Sequence, residues 1–250
     1  TWNSKRLTVD YDVLASYSKQ LNDDLSFDVN AGASTFYRKY QQEYNSTDGL
    51  VVPFVYSLNN TSGNVAATTY LQERATNSVY ATVGVDLYNA VFLTAAARND
   101  WSSTLPKENR SYFYPSVSAS TVVSNFVTMP TAIDYLKLYG SWAQVSSDLD
   151  PYRTEAYYTN NGVFGGNVKL QYPNGLVNAN IEPETSNSFE LGLSSAFLKN
   201  RLALDLTYYN VVDTNQIIDL PISNTSGFEN RKVNGNEYTT NGLELVLNAK

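Results

Sequence analysis

The chain has 250 residues, of which 42% are hydrophobic and 16% charged, and its net charge of -7 with no Lys/Arg cluster argues against a nucleic-acid-binding role. It has no cysteine and no histidine, so this segment cannot form a disulfide, a thiolate metal site or a His-dependent catalytic site. No run of about eighteen apolar residues occurs, which excludes a transmembrane helix but not membrane-spanning strands.

Apolar and polar residues alternate through most of the chain, a pattern typical of β-strands with unlike surroundings on their two faces. In the first stretch Leu7, Val9 and Val13 share one face, opposite Thr8 and Asp10. Nine strands are predicted: eight at roughly 6–18, 25–36, 71–87, 91–98, 112–124, 133–143, 184–197 and 202–210, and a ninth that ends the chain with Leu243, Leu245 and Leu247 on one face. Most exceed the five or six residues usual in soluble domains and match the nine to eleven or so that cross a membrane when tilted.

The connections between these strands alternate between shorter and longer ones. The long ones are 37–70, 144–183 and 211–236. In an up-and-down antiparallel sheet, the short turns then lie at one end and the long loops at the other, as in outer-membrane barrels. We therefore predict an all-β fold, an antiparallel up-and-down transmembrane β-barrel. A soluble sandwich can also alternate its faces and stays an alternative.

Aromatic residues cluster where the predicted strands end. Tyr occurs 20 times and Phe 10 times. Strand ends beside the long loops carry Tyr112, Phe113, Tyr114, Tyr208, Tyr209 and Tyr238, and those beside short turns carry Tyr17, Tyr88, Phe126 and Phe197. A spanning barrel has two aromatic belts at its two interfaces, so this distribution predicts such belts. Tyr is also common in β-proteins generally.

Four stretches resemble one protein family. They are RNDWSSTLP at 98–106 with YFYPSVSA at 112–119, LKLYGSWAQV at 136–145, IEPETSNSFELG at 181–192, and NRL at 200–202 followed by LTYYN at 206–210, NGN at 234–236 and NGLEL at 241–245. In this order and spacing they resemble a middle-to-late barrel segment of the SusC/RagA-type TonB-linked outer-membrane transporters of Bacteroidetes. Tyr139 stands where that family often has Arg.

The resemblance implies a 22-stranded type of barrel in the bacterial outer membrane, of which residues 1–250 are a partial barrel of about nine strands. It implies that a plug domain, a TonB box and the C-terminal strands lie outside this segment. It also implies TonB-dependent import of an oligomeric nutrient, either an oligosaccharide or an oligopeptide. The implied partners are a SusD-like surface lipoprotein acting as a lid, TonB and outer-membrane lipid.

Substrate contacts are expected from aromatic and polar residues on the long loops and on the polar face. Aromatic candidates that could stack on sugar rings or pack peptide side chains are Tyr40, Tyr44, Trp101, Tyr152, Tyr157 and Tyr158. Asp148 and Asp150 could accept hydrogen bonds or join a calcium site, since hard cations take carboxylate oxygens. A solvated polar loop explains each of them as well. No catalytic, cofactor-binding or metal-binding residue is assigned, and no enzyme activity is expected.

Two other functions stay open from sequence. A hydrolase at the outer-membrane rim needs two carboxylates at a set separation, whereas Asp148/Asp150 and Glu182/Glu184 are loop neighbours that define no pair. A surface β-sandwich serving adhesion would pack the apolar faces of its strands against a second layer. The surroundings of Leu191, Leu204 and Leu245 decide between barrel and sandwich.

Overall fold

The computed structural model describes residues 1–250, most of which lie in β-strands. In chain order the strands are β1 (Trp2–Asn22), β2 (Leu25–Thr47), β3 (Val65–Leu87), β4 (Val91–Ser102), β5 (Ser111–Val122), β6 (Ile133–Ser147), β7 (Thr159–Phe164), β8 (Asn167–Gln171), β9 (Gly175–Leu176), β10 (Glu184–Phe197), β11 (Leu202–Thr214), β12 (Gln216–Pro221), β13 (Asn230–Gly235) and β14 (Tyr238–Ala249). Single 3₁₀ turns lie at Leu58–Asn60, Val123–Asn125 and Asn224–Ser226. The structure contains no helix long and apolar enough to cross a membrane.

Nine strands form one antiparallel sheet in the order β1-β2-β3-β4-β5-β6-β10-β11-β14. All nine predicted strands are therefore present, and the predicted all-β, up-and-down fold is confirmed. The sheet is open, with β1 and β14 at its two edges. The remaining strands form a hairpin of β7 with β8 and a small sheet of β12, β13 and β9, all within the long connections.

The strands are longer than predicted at the long-loop end. β2 continues to Thr47 and β3 begins at Val65, which pairs with it, so the intervening loop spans 48–64 rather than 37–70. In this extension both faces are mostly polar, so the sequence has no apolar period there. The backbone ladder nevertheless continues, because each further residue pair adds hydrogen bonds whatever the side chains are.

No second protein layer covers the sheet. Leu191, Leu243 and Leu245 are 52%, 68% and 64% exposed, and Leu204 is half-buried between its strand neighbours. Only 13 of the 250 residues are buried. A sandwich of this length would bury one face of every strand against the other sheet. The sandwich alternative is therefore wrong, because the apolar face of a single sheet is open to its surroundings.

The strand register places apolar side chains on one face of the sheet and polar side chains on the other. On the apolar face Leu138 pairs with Leu193, Leu193 with Leu206, and Leu206 with Leu245. One residue away in each strand, the other face carries Lys137, Ser194, Asp205 and Glu244. Because side chains alternate strictly along a strand, this register keeps the two faces separate from strand to strand.

Connection lengths are largely one-sided, as predicted, except that connection 123–132 at the short-turn end is longer than connection 103–110 at the other end. Connections 23–24, 88–90, 123–132 and 198–201 lie at one end of the sheet, and 48–64, 103–110, 148–183 and 215–237 lie at the other. The predicted belt at the long-loop end is only partly correct. Phe113 and Tyr208 lie on the apolar face, but Tyr112, Tyr114, Tyr209 and Tyr238 have the opposite parity and lie on the polar face. Runs of adjacent aromatic residues must divide between the two faces.

Three tyrosines on the polar face lie over glycines of the neighbouring strand. The pairs are Tyr80 over Gly32, Tyr139 over Gly192 and Tyr209 over Gly242, and each is also a cross-strand register pair. A Cβ at any of these glycines would overlap the ring. The Tyr139 hydroxyl reaches beyond Gly192 to Thr207 Oγ1, 2.8 Å away on the next strand. The Tyr80 hydroxyl likewise reaches beyond Gly32 and donates to Asp12 Oδ2 on β1 at 2.7 Å, so these two tyrosines each link three strands.

Candidate functional site

The two longest loops build a folded unit at the long-loop end. In loop 148–183, β7 and β8 form a hairpin whose turn is Gly165-Gly166, with φ of 56° and 79°. In connection 215–237, β12 and β13 form a second hairpin, and β9 adds to β13 in parallel. Two glycines meet the backbone requirement of such a tight turn, since left-handed φ values cost them little. These loops are thus more ordered than the sequence suggested.

An outer recess of about 420 Å³ lies between these loop elements. Its lining includes Tyr152, Arg153, Glu155, Tyr157, Asp219 and Lys232. Lys232 Nζ lies 2.7 Å from Asp219 Oδ1, and the Tyr157 hydroxyl donates to Glu155 at 2.7 Å. That hydrogen bond raises the pKa of Tyr157, because the carboxylate stabilises the protonated phenol. The recess thus combines aromatic faces with both signs of charge, chemistry that suits polar oligomers with apolar patches.

Tyr158, also predicted as a substrate contact, joins an aromatic cluster instead. Its ring lies 5.4 Å from that of Tyr172, which lies 5.6 Å from that of Phe228. Both pairs have edge-to-face geometry, the arrangement that aromatic quadrupoles favour. Because Phe228 belongs to connection 215–237, the cluster holds the two loops together beside the outer recess.

Asp148, predicted from the sequence as a hydrogen-bond acceptor or calcium ligand, makes its contacts within the protein. Its side chain is only 8% exposed and lies 3.2 Å from Arg74 Nη2 on β3. It also accepts hydrogen bonds from the Ser102 hydroxyl and, at 3.1 Å, from the Thr104 hydroxyl. No group of three or more acidic, His or Cys side chains converges to hold a metal ion in the structure. The Asp148 carboxylate is therefore committed to protein contacts.

A second recess, which we call the wall recess, lies on the polar face of the sheet and has a volume of about 530 Å³. Half of its ten lining residues are charged, namely Asp10, Asp12, Arg74, Arg98 and Asp100. Arg98 Nε donates to Asp100 at 2.7 Å, and the Tyr114 hydroxyl donates to the same carboxylate at 2.7 Å. Neither arginine was predicted from the sequence to be a site residue. Charged residues at even positions of β3 and β4, opposite the apolar face, were the available signal.

The remaining predicted contacts lie apart from both recesses. Tyr40 lies on β2, where it packs edge-on against Tyr70 at 6.3 Å and beneath Arg6 at 5.8 Å. Tyr44 is further along the same strand and is exposed. Trp101 has the parity of the apolar face, like Phe113, so it points away from the wall recess. Asp150 is exposed in loop 148–183 and lines neither recess.

Comparison with known proteins shows the class to which this fold belongs. The TonB dependent receptor-like, beta-barrel family matches residues 2–250, and the chain belongs to this family of outer-membrane receptors and transporters. Two curated relatives are TonB-dependent receptors of Formosa agariphila: P26, 30% identical over 164 residues, and P39, 26% identical over 248 residues. The matches cover 62% and 94% of this chain but only 16% and 23% of those proteins. This chain therefore spans a minor part of their length.

Among solved structures, the fold is similar to the RagAB peptide importer in its "closed-closed" state. The TM-score is 0.90 at 20% identity, covering 98% of this chain and 28% of that one. The siderophore receptor PirA from Acinetobacter baumannii gives a TM-score of 0.62 at 17% identity, covering 98% of this chain and 34% of that one. The RagA-type resemblance inferred from the sequence motifs is thus confirmed at the level of the fold.

Proposed function

We propose that the whole protein imports an oligomeric nutrient, a glycan or an oligopeptide, across the bacterial outer membrane by TonB-dependent transport. The observation that carries this proposal is the single-layer sheet with a continuous apolar face and a polar opposite face. In a barrel wall the apolar face contacts hydrocarbon and the polar face lines the lumen. Membership of the TonB-dependent receptor family supports the same interpretation.

In this proposal residues 1–250 supply nine adjacent strands of a larger, 22-stranded type of barrel. A plug domain, a TonB box and the C-terminal strands belong to other parts of a longer protein. The long-loop end faces the cell exterior, where a SusD-like lipoprotein covers the mouth. The short turns face the periplasm, and outer-membrane lipid surrounds the apolar face.

The two recesses suggest how a substrate is selected without bond chemistry. The outer recess offers Tyr152 and Tyr157 for the first contact, and the wall recess lies below it on the lumen side. The hydrolase alternative has less support, because three of its four carboxylates, those of Asp148, Glu182 and Glu184, are used in structural contacts. Glu184 accepts the Ile217 N–H at 2.8 Å, and Glu182 accepts from the Asn215 amide at 3.3 Å.

Uptake by cells expressing the full-length protein tests the proposal. A strain lacking the protein, and the same strain complemented, are given fluorescent oligopeptide and oligosaccharide mixtures. We expect one class to accumulate only in complemented cells and accumulation to stop when TonB is deleted or the proton gradient is collapsed. Accumulation that survives TonB deletion, or no accumulation of either class, would contradict TonB-dependent import.

A separate prediction concerns the outer recess and the apparent affinity for the substrate. Replacing Tyr152 and Tyr157 together by Ala is expected to raise the KM for uptake about fivefold, because about 1 kcal/mol of aromatic contact is lost. The maximal rate should not change. Tyr56→Ala is the matched control, since Tyr56 is 86% exposed in loop 48–64 and lines neither recess. Equal KM values for the two variants would show that the recess does not contact the substrate.

A further inference from the structure

We propose that Arg74 and Asp148 are a positioning pair that fixes the outer recess above the barrel wall, so that loop 148–183 acts as a rigid shelf and not as a moving lid. This inference rests on the proposed function for its effect on transport, but the anchoring of the loop can be measured independently of transport. From the sequence, Asp148 was predicted only as a hydrogen-bond acceptor or calcium ligand, and no role was predicted for Arg74.

The pair joins the barrel wall to the first residue of the loop. Arg74 lies in β3 and lines the wall recess, whereas Asp148 directly follows β6. Arg74 Nη2 lies 3.2 Å from one carboxylate oxygen and 3.3 Å from the other. Ser102 and Thr104, at the end of β4 and just beyond it, donate to the same carboxylate. One carboxylate therefore connects the loop to both β3 and the β4 end.

Asp148 compensates a guanidinium that is largely withdrawn from water. The Arg74 side chain is 24% exposed, and its buried Nε has no hydrogen-bond partner in the structure. Phe36 covers one side of the guanidinium, whose carbon lies 5.8 Å from the ring centre. Removing one member of such a pair leaves an uncompensated charge, which costs more than the pair itself contributes. The arrangement therefore strongly opposes release of the loop.

Apolar packing holds the two ends of the same loop together. Leu149 and Ile181, from the two ends of loop 148–183, pack with Leu105 and Tyr112 in the one cluster of buried apolar residues in the structure. The Asn109 side-chain amide adds hydrogen bonds to the Asn180 and Ile181 carbonyls, both at 3.2 Å. Both ends of the loop are thus fixed at one place.

This anchored base determines where the outer recess lies. Tyr152 and Tyr157 follow Asp148 closely in sequence, and the loop returns to the anchor at Ile181. If the base opened, these aromatic side chains would no longer face Asp219 and Lys232 across the recess. The pair therefore acts on substrate affinity through position, without touching the substrate.

Hydrogen exchange of the assembled full-length protein tests the anchor directly. In Asp148→Asn, exchange in peptides covering 149–181 is expected to be at least about tenfold faster, because the buried guanidinium loses its counter-charge. Asp48→Asn is the matched control: the same chemical change at an exposed residue of another outer loop, with no side-chain hydrogen bond. The charge-exchanged double variant, Arg74→Asp with Asp148→Arg, is expected to restore slow exchange.

Uptake kinetics test the positioning role. Asp148→Asn should raise the KM for uptake at least about fivefold without changing the maximal rate per assembled barrel, and the charge-exchanged variant should lower it again. Unchanged exchange in Asp148→Asn would overturn the anchor. Faster exchange with an unchanged KM would overturn the positioning role. If the wild-type protein imports neither oligomer class, the proposed function fails, whereas the exchange result still supports or overturns the anchor.

Discussion

Leu191→Arg is expected to destabilise the assembled barrel by about 2–4 kcal/mol, the cost of placing Arg against hydrocarbon near the bilayer midplane. Leu191 lies in the middle of β10 on the apolar face and is 52% exposed, so no protein partner can compensate the new charge. The readout is the denaturant concentration that unfolds the full-length protein in lipid vesicles, together with the assembled amount in the outer membrane.

Ser194→Arg is the matched control for this substitution. Ser194 lies three residues further along the same strand but on the polar face, where it pairs with Lys137 and Asp205. An arginine there meets water and a carboxylate, so we expect little loss of stability. Leu204→Arg should cost less than Leu191→Arg, because Leu204 is nearer the turn 198–201 and a long side chain can reach the interface. Equal stability of the Leu191 and Ser194 variants would mean that neither face contacts lipid.

Gly192→Val is expected to cause the second large loss of stability, because the new side chain overlaps a neighbouring ring; no charge is involved. The Tyr139 ring occupies the space where a side chain at Gly192 would lie, and its hydroxyl bonds to Thr207 at 2.8 Å. Displacing the ring costs about 1–3 kcal/mol for overpacking and about 1 kcal/mol for the hydrogen bond. The measurement is the temperature at which the folded band of the full-length protein disappears in gel electrophoresis.

Two variants make this prediction specific. Gly63→Ala introduces a side chain where nothing lies within 4 Å, so it should leave the melting temperature unchanged. Tyr139→Ser combined with Gly192→Val removes the ring that the valine displaces, and should recover part of the lost stability. A Gly192→Val protein as heat-stable as wild type would show that the ring does not lie over the glycine.

Sequence periodicity predicted the sheet well because one physical contrast repeats in every strand. The alternation at Leu202, Leu204 and Leu206 indicates the apolar face of the strand, and it locates the strand within a few residues. The same alternation is absent from the extensions of β2 and β3, because their side chains are mostly polar on both faces. Strand ends were therefore underestimated at the long-loop end.

The loop structure could not be predicted in the same way. Strands β7, β8, β12 and β13 have only five or six residues each, and apart from β8 they show little apolar alternation, so the sequence alone does not separate them from solvated loop. The contact of Arg74 with Asp148 joins positions 74 residues apart, and no local pattern encodes it. The sequence therefore predicted Asp148 only as a hydrogen-bond acceptor or calcium ligand, and its contact with Arg74 could not be foreseen. Tyr152 and Tyr157 were predicted from residue type alone, and the structure brings them into one recess.

The structure also separates two roles that aromatic residues share in such a chain. Tyrosines over glycines on the polar face stabilise strand pairing, whereas Tyr152 and Tyr157 are held by loop contacts and leave a recess open. Adjacent residues such as Phe113 and Tyr114 belong to opposite faces and so to different environments. Counting aromatic residues near strand ends therefore overestimates the number of residues in a belt. Only those whose position along the strand places them on the apolar face should be counted.

The most direct test is a cysteine scan of β10, made possible by the absence of cysteine from this segment. Single cysteines at 189, 190, 191, 193 and 194 of the full-length protein are spin-labelled in lipid vesicles, and their collisions with oxygen and with a water-soluble nickel chelate are measured. We expect the accessibility to alternate with period two, with oxygen favoured at 189, 191 and 193 and the nickel chelate at 190 and 194. High nickel accessibility at Leu191 and Leu193, or protection of both positions from both reagents, would contradict it.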